Sequence, residues 1–249
     1  MAKLSVVLIA RNEEEIILRC LDSVKRVADE IVVIDSMSDD RTAEICRTFG
    51  CRVFSRTFDG YGSQKQFAVD QALNDWVLSV DADEVLTPEL QDEIRVLMRD
   101  PVDYAGFEIP FVLFYMGKML KFGGVGSEKH LRLFNRKAGR FTTVPVHEGV
   151  KVTGKTGRFR GKIIHYSYRN ISHQLKKIDI YSSQGARANL EKGKSFPKCW
   201  VVPKFPITFF TIYIIKGGFL DGYPGFMWAY TGAIYASLKV AKTIEMKKQ

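Results

Sequence analysis

The first hundred residues alternate short apolar runs with amphipathic stretches, and three of those runs end at clusters of polar, acid-containing residues. Such alternation is the pattern of βαβ units closing a largely parallel sheet. Leu4–Ala10 reads as the first strand. Ile17, Cys20, Leu21, Val24 and Val27 then recur at helical spacing, and Glu30–Asp35 is rich in β-branched residues. Asp39 or Asp40 is placed to cap a helix running through Phe49; Cys51–Ser55 reads as a third strand and Ser63–Leu73 as a third helix. Trp76–Val80 leads as a fourth strand into Asp81, and Pro88 suits the first turn of a helix ending near Arg99.

Ligands of an open α/β sheet bind beyond the carboxyl ends of its strands. Strand one ends in Arg11-Asn12-Glu13-Glu14, strand two in Asp35-Ser36-Met37-Ser38-Asp39-Asp40, and strand four in Asp81-Ala82-Asp83-Glu84. Any one of these clusters alone is better explained by helix capping. Three of them converging on one rim point to a site. In an extended continuation of the strand, Asp81 and Asp83 face the same side and share one Mg²⁺ or Mn²⁺ together with phosphate oxygens. Two carboxylates held together without a cation repel; a hard metal bridging a diphosphate offsets this and neutralises charge on the leaving group.

From Tyr104 the period changes. Tyr104–Tyr115 and Leu131–Phe134 suggest further strands separated by the glycine-rich loop Gly123–Gly126, and a polar helix is predicted from Ile171 to Glu191. Trp200–Leu220 and Phe226–Val240 are aromatic and apolar but interrupted by Pro203, Pro206, Lys216, Gly217, Gly218 and Pro224. The longest apolar run there, Ile207–Ile215, falls short of the roughly 20 residues a spanning helix needs. The expectation is interfacial attachment to a membrane, with a buried helix pair packing on the catalytic domain as the alternative. Charge supports the first: residues 1–150 hold 19 Lys+Arg against 24 Asp+Glu, whereas residues 151–249 hold 18 against 4. The basic part wants an anionic partner such as phosphorylated lipid or an anionic membrane surface. Nucleic acid also fits on charge, but no ribonucleoprotein aromatic motif or helix-turn-helix signature accompanies it, so none is expected. Cys20, Cys46, Cys51 and Cys199 lack metal-ligand spacing, and no signal-peptide pattern precedes Leu4, so a cytoplasmic location is expected.

Taken in order, Ser5-Val-Val-Leu-Ile-Ala-Arg-Asn-Glu-Glu, Ile31-Val-Val-Ile-Asp-Ser-Met-Ser-Asp-Asp-Arg-Thr and Trp76-Val-Leu-Ser-Val-Asp-Ala-Asp-Glu resemble glycosyltransferase family 2 over residues 1 to about 150. The resemblance implies an α/β, Rossmann-like GT-A catalytic domain, taken over residues 1–170; composition and charge add a helical, basic and aromatic, membrane- or acceptor-associating region over residues 171–249. It implies an inverting transfer from a UDP-linked or related nucleotide-sugar with Mg²⁺ or Mn²⁺. By it, Ala10, Asn12 and Glu14 line the nucleotide pocket, Asp35 bonds the base, Lys65 contacts the donor, and Asp81 and Asp83 sit at the diphosphate and metal. Asp35-Ser-Met-Ser stands where the family commonly has Asp-Asp-Gly-Ser, which leaves the base open.

An inverting transfer needs a general base for the acceptor hydroxyl. Val144-Pro-Val-His-Glu-Gly looks like the Val-His-Glu of the subgroup that adds sugars to lipopolysaccharide core, which makes Glu148 the base, His147 its neighbour and UDP-glucose the expected donor. Lys129-His-Leu-Arg-Leu-Phe resembles the same subgroup's acceptor-side strand, so His130 and Arg132 are expected at acceptor phosphates. The acceptor is then lipid-linked or a lipopolysaccharide core, met at the inner face of the membrane. His165 reads as a satisfied core or rim histidine rather than a metal ligand.

Two rivals stand beside this. Asp81-Ala-Asp-Glu-Val fits the nucleophile motif of a haloacid-dehalogenase-type, Mg²⁺-dependent phosphatase. That chemistry needs a downstream acidic pair, and after residue 150 the only acids are Asp179, Glu191, Asp221 and Glu245, all isolated. A non-catalytic protein binding anionic lipid explains the basic half and leaves the converging acids without a role. Dehydrogenase and P-loop chemistry lack their glycine-rich motifs.

Overall fold

The computed structural model describes residues 1–100, 103–126, 128–142 and 149–247. The elements begin with β1 (Leu4–Ala10), α1 (Ile17–Val24), β2 (Glu30–Asp35), α2 (Thr42–Phe49), β3 (Arg52–Ser55), α3 (Tyr61–Gln71) and β4 (Trp76–Asp81). Next come β5 (Glu84–Leu86), α4 (Pro88–Arg99), β6 (Gly106–Tyr115), β7 (Lys118–Met119), β8 (Lys129–Asn135), β9 (Gly139–Phe141) and β10 (Val150–Val152). The chain closes with β11 (Thr156–Arg158), β12 (Ile163–His165), α5 (Ile171–Glu191), α6 (Val201–Phe210) and α7 (Tyr223–Met246). Two compact units form: Met1–Val112 with Glu128–His165, and Leu113–Ser127 with Tyr166–Gln249. Where one boundary at residue 170 was expected, the chain therefore passes between units three times.

In the first unit, β3, β2, β1 and β4 lie side by side in that order, all parallel. The register sets the rim: Ala10 lies beside Asp35 and Ile9 beside Asp81, so β1, β2 and β4 end at one level. Apolar burial holds it there. Leu4, Val6, Val7 and Leu8 of β1 are fully buried, and so are Ile17, Cys20, Leu21 and Val24, the stripe of α1 that the sequence spacing marks out. Beyond β4 the sheet turns antiparallel: β8 pairs with β4, β6 with β8, and β12 with β5, which sets His165 opposite Glu84. Helix α4 starts as predicted, with Pro88 in its first turn and the Thr87 hydroxyl accepting from the Leu90 amide.

The second unit is helical. Asn170 caps α5, its side chain accepting from the His173 amide at 2.8 Å. Ring pairs Phe205–Tyr230 and Phe209–Phe226 climb α6 while descending through α7, so the two run antiparallel as a hairpin. The prolines do not break the first arm, contrary to the sequence reading. Pro203 sits in the first turn of α6, where its missing N–H costs nothing, and Pro206 is carried inside the helix. A 3₁₀ turn, α6 and a π-helical stretch join into one helical run, Lys198–Ile215, of 18 residues with mean hydropathy 1.3 and nothing buried. By length and composition it is long and apolar enough to cross a membrane, unlike the nine-residue run read from sequence.

Candidate active site at the ends of the parallel strands

Two loops leave the rim in left-handed backbone, at Asn12 (φ 56°) and Met37 (φ 60°). Both are non-glycine residues in a region they seldom occupy, and the loops are laced together to hold it. The Asn12 amide donates to Ser38 Oγ at 3.0 Å, and Asn12 Oδ1 accepts from the Asp39 amide at 2.9 Å. The Glu14 amide donates to Asp40 at 3.1 Å, and the Glu14 carboxylate accepts from the Arg41 amide at 3.0 Å. Ala10, buried at the end of β1, accepts from the Ser36 amide at 2.8 Å. All three residues expected at the nucleotide pocket thus shape the rim through the loops they join.

Asp35 is buried at the end of β2. One carboxylate oxygen accepts from the Ser38 amide at 3.2 Å, and the other has no hydrogen-bond partner among the described residues. Gln64 on α3 is similar: its amide nitrogen donates to Ser36 Oγ and to the Arg56 carbonyl, while its oxygen is unpaired. Two orphaned buried acceptors on neighbouring elements are costly, each of order 1–3 kcal/mol, and call for a compensating role. Gln64 precedes Lys65 in the sequence, and nothing in its spacing distinguishes it from a helix surface residue.

Lys65, on the same helix turn, is buried and reaches Asp81 at 2.9 Å. Arg132 of β8 donates to Asp81 at 3.2 Å and to Glu84 at 2.9 Å, and the Asp81 amide donates to Glu84 at 2.8 Å. Burial raises the Asp81 carboxyl, but the Lys65 and Arg132 charges outweigh it and hold the group well below the usual carboxylate range. Glu84 goes the other way: burial, aided by the Asp81 charge, pushes it up to about 7 against the opposing pull of Arg132. Arg132 was expected at acceptor phosphates, yet its side chain is 12% exposed and committed to these two acids. Its guanidinium also lies over the Phe111 ring, 5.2 Å from the centroid. His130, two residues earlier on β8, is the exposed member, edge-on to Phe111 and 3.5 Å from Glu128. Burial and the nearby Arg132 lower its pKa.

The extended geometry assumed for Asp81 and Asp83 does not occur. The chain turns at Ala82–Asp83 between β4 and β5, so the two carboxylates take different partners. Asp83 meets His165 Nε2 at 3.1 Å, brought there by the pairing of β12 with β5. Burial lowers the His165 pKa, but the Asp83 hydrogen bond and charge more than reverse this. The sequence reading of His165 as a rim histidine describes its place and misses its partner.

Among the described residues no group of three or more His, Cys, Asp or Glu is arranged to hold a metal. Asp83 and His165 offer one oxygen and one nitrogen donor, which suits a divalent ion that takes its other ligands from water and phosphate. Asp81 already faces two cations. His147 and Glu148 lie outside the described residues.

Comparison with known proteins bears directly on this rim. Residues 5–141 match the sequence model of glycosyl transferase family 2. The chain is 32% identical to an "Uncharacterized glycosyltransferase" of Rickettsia typhi, over 99% of this chain and 88% of that protein. It is 33% identical to "Lipopolysaccharide core biosynthesis glycosyltransferase LpsC" of Rhizobium meliloti, over 96% of this chain and 91% of that protein. A solved structure of S. aureus TarS 1-349 in complex with UDP is 25% identical, covering 48% of this chain and 38% of that one, with a TM-score of 0.37.

Proposed function

The chain belongs to glycosyl transferase family 2 with a GT-A fold, and from that premise we propose that it transfers one sugar, glucose from UDP-glucose, onto a lipopolysaccharide-core or other lipid-linked acceptor. Membership of the family sets aside the phosphatase and the non-catalytic lipid binder. The acceptor class rests on the likeness to the Rhizobium meliloti core transferase along nearly the whole of both chains.

One observation carries the reading: the register of β1, β2 and β4 brings Ala10, Asp35 and Asp81 to one level, with Lys65 and Asp83 beside them. Asp35, with an acceptor oxygen unpaired, is the base-reading residue of the proposal. Lys65 and Arg132 compensate Asp81 and fix its carboxylate at the strand end. Asp83 and His165 are the residues that would hold Mg²⁺ or Mn²⁺, which when bound neutralises charge on the departing diphosphate. Glu148 is the base of the proposal: it takes the acceptor hydroxyl proton as that oxygen attacks the anomeric carbon from the side opposite the nucleotide, inverting the centre. His130, exposed on β8, is the acceptor-phosphate contact of the proposal, together with His147, the sequence neighbour of Glu148. The enzyme would work on the cytoplasmic side, peripheral at the inner face of the cell membrane, with no nucleic-acid partner.

Calorimetric titration with UDP, GDP and dTDP, each with Mn²⁺ and with EDTA, tests the donor site. Metal-dependent binding of UDP alone is the expected result. Binding of none of the three would sink the donor assignment, and preference for GDP or dTDP would replace the base.

A further inference from the structure

Resting on the membrane-facing reading above, we propose that the second unit enters the lipid bilayer with a two-segment apolar tip, fastened from within by Asp221. The first segment is the end of the α6–α7 hairpin, where Ile215, Phe219, Leu220 and Tyr223 are 69%, 47%, 55% and 62% exposed. The second is the loop after β6, which brings exposed Met119 and Phe122. The two are joined by hydrogen bonds. Asp221, 2% exposed, accepts from the Lys121 and Phe122 amides through one carboxylate oxygen, each at 2.9 Å. Lys118 donates to the Asp221 carbonyl at 3.0 Å, and the Gly123 amide to the Lys216 carbonyl at 2.8 Å. A buried carboxylate spent on holding two exposed apolar segments side by side makes physical sense when those segments act together. The hairpin turn is closed equally tightly. A Cβ on Gly225 would strike the Gly218 carbonyl, so α7 starts hard against the turn.

The apolar surface continues along the first arm. Val202, Pro206, Phe210 and Ile214 recur every four residues on one exposed stripe of α6 and its π-helical extension, with no charge among them. Large exposed apolar surface of this kind marks an interaction site. Lipid is the occupant that the charges favour. The second unit carries 15 Lys+Arg against 4 Asp+Glu, and Lys118, Lys121 and Lys216 stand on the two joined segments. Apolar residues collared by lysines match an anionic headgroup layer over acyl chains, whereas a second copy of the chain would set two strongly positive units against each other. Because α7 returns antiparallel to α6, an inserted hairpin enters and leaves on one side of the bilayer.

The test is co-sedimentation of the full chain with phosphatidylethanolamine vesicles with and without phosphatidylglycerol, run beside UDP calorimetry and size-exclusion chromatography. The wild type should bind, more tightly with phosphatidylglycerol. The surface variant Ile215→Ser/Phe219→Ser/Leu220→Ser should lose at least tenfold in vesicle affinity, and Asp221→Ala should lose affinity although it removes no apolar side chain. Both should bind UDP as the wild type does, which separates this proposal from the donor site. Unchanged vesicle binding by the triple variant would overturn the tip, as would a wild type that ignores vesicles or a dimer that the triple variant dissolves.

Discussion

Asp81 and Asp83 are two residues apart and do different work. Asp81 is locked between Lys65 and Arg132, whereas Asp83 stands in the turn against His165. Asp83→Ala should therefore abolish turnover and metal-dependent UDP binding while leaving the melting temperature within a few degrees of wild type. Retained activity would remove the metal assignment. Arg132→Met separates a buried positioning role from an exposed contact. It leaves the buried Glu84 without its cation and Asp81 with Lys65 alone, so unfolding by urea should show a loss of about 3–5 kcal/mol. A change within 0.5 kcal/mol, the ordinary surface effect, would return Arg132 to the acceptor side. Glu148→Gln should lower kcat by at least about a hundredfold with UDP affinity kept, the signature of a base. Equal losses in both would make Glu148 a binding residue.

At the scale of elements, the parallel sheet depends on polar ties as well as on its apolar strands. Glu30 at the start of β2 accepts from the Leu73 amide at 2.9 Å and also joins Ser5 and Arg52. Burial raises its carboxyl, but these partners outweigh burial and lower it below the ordinary 4.5. A carboxyl lowered by folding stabilises above its unfolded value and loses that contribution as pH falls through the folded one. Glu30→Gln should therefore cost about 1–3 kcal/mol at neutral pH, the worth of hydrogen bonds to a charged group. The gap to wild type should close below pH 4.5. A gap independent of pH in urea unfolding would show that the charge contributes nothing. The helices of the second unit follow another logic, since α7 buries Ala229, Ala233 and Ala236 while α6 buries no residue at all.

Charge is unevenly shared along the chain: residues 1–150 hold 24 Asp+Glu against 19 Lys+Arg, and the helical unit holds 15 Lys+Arg against 4 Asp+Glu. Salt should accordingly weaken docking to anionic vesicles, because exposed charge pairs are screened beyond about 8 Å at physiological ionic strength. Raising NaCl from 50 to 500 mM should lower affinity for phosphatidylglycerol vesicles severalfold and leave a residual apolar component. Salt-independent binding would mean that the lysines take no part.

The sequence by itself determined the strand–helix alternation, the strands Leu4–Ala10 and Glu30–Asp35 to the residue, the buried stripe of α1, the convergence of three acidic strand ends, and the family. Those features follow from periodicity, capping residues and local motif order, which short stretches of chain carry intact. Only the tertiary structure decided which acid faces which cation. The turn at Ala82–Asp83, the pairing of β12 with β5 that delivers His165, and the antiparallel β8 that delivers Arg132 all depend on contacts remote in sequence. The continuity of Lys198–Ile215 was equally hidden, because a proline argues locally against a helix that its neighbours can still complete.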